Sequence, residues 1–88
     1  MGKVTGRLVL TLFPAGDVQM VFTPNGGAGT PRPLLAKNTG EAEDDLVRTF
    51  GFVPEKARAR ISELESAGQV DVVVSIEEGL AASLFRQR

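Results

Sequence analysis

The chain contains no cysteine, no histidine, no tryptophan and no tyrosine. Without cysteine there is no disulfide framework and no thiolate for zinc, iron–sulfur or nucleophilic chemistry, which fits a reducing compartment and makes cytoplasm the expected location. Without histidine, the usual general base near neutral pH and the commonest metal ligand are both missing. Ser62, Ser66, Ser75 and Ser83 would need another base to act as nucleophiles. No motif sets a lysine beside them, so helix surfaces and caps are their expected places. Long apolar runs are lacking too: the greasy stretch from Leu8 to Gly16 is broken by Thr11, Pro14 and Gly16, so neither a secretion signal nor a membrane span is expected. These absences predict a protein that is not an enzyme and holds no metal or cofactor.

What is present is ordinary for a folded domain. Hydrophobic residues make up 42% of the 88 positions and charged residues 24%, well outside the composition of disordered chains. A chain this short has room for one core, so residues 1–88 are expected to form a single domain. The net charge of −1 hides an asymmetry. Residues 1–38 carry four bases and one acid, net +3, while the remainder carries six bases and ten acids, net −4. The basic surface therefore belongs to the N-terminal part, and the helices that follow are acidic on balance.

Val4 to Phe13 reads as a strand with Leu8, Leu10 and Leu12 on one face and Val9, Thr11 and Phe13 on the other. Pro14-Ala15-Gly16-Asp17 supplies turn chemistry, and Val18, Met20 and Phe22 resume the alternation, which predicts a β-hairpin. Residues 24–33 (PNGGAGTPRP) deny helix and central strand and read as a flexible loop. Leu34-Leu35-Ala36 either adds an edge strand or pins that loop. Asn38 followed by Glu41 has the form of a capping box, opening a helix with Ala42, Leu46, Val47 and Phe50 on its apolar stripe and Gly51 at its end. Pro54 opens a second helix, striped by Ala57, Ile61 and Leu64 and stopped by Gly68. Val70 to Ile76 is a β-branched alternating run and reads as a strand. Ser75 with Glu78 has the capping pattern again, predicting a short C-terminal helix with Leu80, Ala81, Leu84 and Phe85 on its stripe.

Two local patterns fall short of ligand sites. The acidic run from Glu41 to Asp45 lacks the alternating ligands, central glycine and distal glutamate of a calcium loop, and reads as a solvated helix N-terminus. Gly26-Gly27-Ala28-Gly29-Thr30 exposes backbone donors, but no Gly-Lys-Ser/Thr follows and Pro31 and Pro33 remove donors, so it reads as a connector.

Residues 46–68, LVRTFGFVPEKARARISELESAG, form a helix, a turn glycine, a proline-started second helix and a closing glycine. This stretch resembles the helix-turn-helix of the leucine-responsive and asparagine regulators, the Lrp/AsnC family. The resemblance rests on Gly51 before a helix that carries the Arg60-Ile61 pair. It implies a recognition helix starting near Pro54, with Glu55, Lys56, Arg58, Ala59 and Arg60 as the nucleic-acid contacts. The Phe50-Gly51-Phe52 turn also looks like the Met-Gly-Phe loop of ubiquitin-associated domains.

The residues themselves predict an α+β fold in the order β-β-α-α-β-α, a small antiparallel sheet covered by a two-helix unit. Both faces of the first strand look apolar, so a second copy of the protein is expected to cover whatever the C-terminal helix leaves bare. The expected function is a non-catalytic protein-interaction or assembly module, working through a sheet edge or through Leu80, Leu84 and Phe85. A helix-turn-helix DNA-binding role is the alternative. Charge favours the first: residues 41–51 carry four acids against Arg48, and residues 54–67 are neutral, whereas affinity for DNA comes largely from phosphate neutralisation.

Overall fold

A computed structural model describes residues 2–26, 30–31, 33–77, 79 and 85–86. The first hairpin forms as its pattern dictates. Strand β1 (Lys3–Leu12) returns as β2 (Val18–Pro24), with Leu8 opposite Phe22, Leu10 opposite Met20 and Leu12 opposite Val18. Gly16, at φ 101°, takes the left-handed conformation that the turn needs, and its N–H donates to the Phe13 carbonyl at 2.9 Å. Leu34–Ala36 is an edge strand: β3 (Thr30–Pro31) precedes it, and β4 (Leu34–Ala36) pairs with β2 through Val18–Ala36 and Met20–Leu34.

Helix α1 (Thr39–Arg48) is capped by Asn38, whose side-chain oxygen accepts from the Glu41 N–H at 2.8 Å. Glu41 reaches back one residue further than a simple capping box and accepts from the Lys37 N–H at 2.9 Å. Gly51, at φ 72°, reverses the chain while the Phe52 N–H donates to the Leu46 carbonyl, closing the helix end. Helix α2 (Pro54–Ala67) starts on its proline without a side-chain cap at Val53 and ends at Gly68, φ 83°. Strand β5 (Gln69–Glu77) then pairs with the free side of β1, Leu8 opposite Val72 and Leu10 opposite Val70. The sheet order is β4-β2-β1-β5, antiparallel throughout, and a separate pair joins β3 to β6 (Phe85–Arg86).

One face of the sheet carries the core. Leu8, Leu10, Val18, Met20, Phe22, Val70, Val74 and Ile76 are buried beneath Ala42 and Leu46 of α1 and Ala57, Ile61 and Leu64 of α2. The opposite face is more polar than β1 alone implies, because its neighbours bring Gln19, Thr23, Gln69, Asp71 and Ser75 around Val9 and Val21. Thr5 and Ser75 hydroxyls meet at 2.8 Å, and the Gln69 amide donates to Thr11 at 3.1 Å.

Three expectations are corrected. Ser75 is a mid-strand residue held by Thr5, not the cap of a helix, because the β-branched run continues its ladder through Glu77. Phe85 lies in β6 opposite Pro31, so the helical stripe does not extend to it. Gly79 is helical, but Leu80, Ala81 and Leu84 lie outside the described residues. The stretch 24–33 is not loop throughout: Pro24 ends β2 and Thr30–Pro31 forms β3, while 27–29 and 32 lie outside the described residues. No helix among the described residues is long and apolar enough to cross a membrane.

Candidate interaction site

Strand β5 is the outermost strand of the sheet, nine residues long, and among the described residues nothing pairs with its outer edge. Backbone geometry decides which of its groups point there. The Leu12 N–H donates to the Gly68 carbonyl, which makes that pair a hydrogen-bonded one. In an antiparallel ladder such pairs alternate, so Val70, Val72, Val74 and Ile76 bond to β1. On the other side of β1, the Asn25 N–H donates to the Thr5 carbonyl, which gives the odd positions of β1 to β2 and leaves the even ones for β5. Gln69, Asp71, Val73, Ser75 and Glu77 therefore aim their N–H and C=O groups outward. Val73 is also 74% exposed, the largest exposure among the large hydrophobic side chains described.

A groove of about 470 Å³ runs between this edge and α2. Phe52, Lys56, Ala59 and Arg60 form one wall and Asp71, Val72 and Val73 the other. A second hollow of about 450 Å³, also bordered by Asp71, lies between Ser62, Glu63, Ser66 and the start of β5. The sheet's other edge offers much less: β4 has three residues and follows Pro33, which has no N–H to give.

The residues singled out on α2 do not act as one group. Glu55, Lys56 and Arg58 are exposed and Arg60 is half-buried. Lys56 and Arg60 line the groove, with the Arg60 guanidinium 3.2 Å from Glu63, whereas Arg58 approaches Glu43 of α1 at 3.8 Å. Asp71 lies 3.2 Å from Arg7 on the polar face of the sheet. Among the described residues no charged or polar side chain is buried, and no three His, Cys, Asp or Glu residues are grouped to hold a metal. Asp45 on α1, half-buried, has its carboxyl pushed above its ordinary range, first by partial desolvation and then by Glu41 and Asp44, with Arg48 opposing.

No family model, no characterised protein and no solved structure matches the chain. Of the expected interaction residues, Leu80 and Leu84 lie outside the described residues and Phe85 belongs to β6. Phe52, Val72 and Val73 were not legible as groove residues, because strand order decides which strand is the edge. The absence of lysine, proline and glycine from Gln69–Glu77 was the available clue.

Proposed function

We propose that the chain is a non-catalytic protein-interaction or assembly module, and that the outer edge of β5 takes up an extended segment as an added strand. The observation that carries this is the row of five outward-facing backbone positions along one regular strand, with Val73 exposed at its middle. Strand addition satisfies such a row with main-chain hydrogen bonds, while a groove like that beneath α2 accepts alternate side chains. The missing histidine and cysteine support the non-catalytic half of the reading, and the lack of cysteine fits a cytoplasmic setting. The test is amide exchange in complexes isolated from native cell extract. The Asp71, Val73 and Ser75 amides exchange more slowly once a partner is engaged; the reading fails if they stay fast in every complex formed.

A DNA-binding role for α2 has the exposed Lys56 and Arg58 in its favour. Against it, Arg58 and Arg60 approach acids, and the Ala57, Ile61 and Leu64 stripe is spent on the core. On that reading, duplex binding is salt-sensitive and weakened by Lys56→Ala and Arg58→Ala; no binding at low salt ends it.

A further inference from the structure

The outer edge of β5 fits one partner with particular economy: itself. We propose that the chain forms a symmetric dimer by pairing β5 antiparallel with β5 of a second copy, centred on Val73; this rests on the reading of that edge as the docking site. In this register Val73 opposes the partner's Val73, Asp71 opposes the partner's Ser75, and Gln69 opposes the partner's Glu77. All five outward-facing residues then meet outward-facing residues, so each unpaired N–H and C=O of the strand finds a counterpart. Moving the axis to Val74 sets Asp71 against the partner's Glu77 and leaves Gln69 without a strand partner. Moving it to Val72 sets Asp71 against the partner's Val73 and strands Glu77.

Charge selects the same register. Asp71 is held by Arg7 at 3.2 Å, and Glu77 stands opposite Lys3 in the register of its own sheet. Across the junction each meets an uncharged polar residue. On the other face, Val72 opposes the partner's Val74 and Val70 opposes the partner's Ile76, which carries the apolar layer under α2 from one copy to the next. Natural edge strands avoid self-pairing with lysine, proline or a bulge; β4, three residues long behind Pro33, is protected in this way and β5 is not.

Because the chain has no cysteine, single introduced cysteines report neighbours without background. At the axis the two Cα atoms stand about 5.5 Å apart, within disulfide reach. Two Ser75 residues are separated by four positions, about 13 Å along the strands, and are out of reach. Mild oxidation should give a covalent dimer from Val73→Cys, none from Ser75→Cys alone, and a mixed dimer from Ser75→Cys with Asp71→Cys. In sedimentation, Val73→Lys should raise the dissociation constant roughly tenfold or more by opposing two like charges at the axis. A strict monomer at high concentration overturns the proposal, as does a dimer that cross-links through Ser75→Cys but not Val73→Cys. If either occurs while the Asp71, Val73 and Ser75 amides still gain protection in a complex with another protein, the dimer is wrong and the edge reading stands. If they gain none, both are wrong.

Discussion

Gly6 lies opposite Pro24 in β2 and opposite Val74 in β5, on the face that carries the core. A Cβ at this position would meet the Thr23 carbonyl oxygen, the Pro24 Cα at 2.7 Å and the Phe22 ring at 2.8 Å. Two of those neighbours are backbone, which cannot rotate away. Gly6→Ala should therefore destabilise the fold by about 3 kcal/mol, the upper part of the usual range for overpacking. Calorimetry would show this as a lower Tm, and an unchanged Tm would mean that the hairpin opens at no cost. Asp45 gives a pH-dependent counterpart. Its pKa in the folded chain lies above the ordinary 3.8, so the folded state binds its proton more tightly than the unfolded one. The ionised carboxylate thus subtracts stability at neutral pH, and the subtraction fades as pH falls through the raised pKa and is gone below 3.8. Asp45→Asn should raise Tm slightly near neutral pH and leave it unchanged below pH 3.8, which paired melts would check.

The elements differ in how openly the chain announces them. Helix α1 depends on its cap: Asn38→Ala removes the acceptor for the Glu41 N–H and should cost about 1 kcal/mol, read from the urea midpoint. That cap was legible because Asn38 and Glu41 are three residues apart, and α2 was legible because Pro54 and Gly68 bracket its stripe. Both ends are local chemistry. Ser75 with Glu78 shows the limit of such reading. The same spacing occurs inside a β-branched run, and pairing with Thr5, a residue distant in the chain, wins over the local option. Strand β6 was illegible for a related reason, since its partner Thr30–Pro31 lies in a segment whose prolines and glycines argue for loop. The candidate site inherits this difficulty. Its residues are all in plain view, but the fact that β5 lies outermost follows from β1 having β2 on its other side.

For the whole molecule, self-pairing of the kind proposed would be linked to stability by mass action. A dimer joined through β5 is populated only from the folded chain, so Tm should rise with protein concentration for the natural sequence and much less for Val73→Lys. A Tm that ignores concentration would count against association by any surface. The position of β1 has a consequence for how the chain is made. Its odd positions are satisfied by β2 as soon as the hairpin closes, but its even positions wait for β5, which emerges only after both helices. During synthesis the central strand therefore spends the interval with one side open to any passing segment. Closure across so long a stretch of chain is the slow step expected of non-local β pairing. From the closing of the hairpin at Pro24 until Glu77 has been made, the even positions of β1 are the open edge of the growing chain.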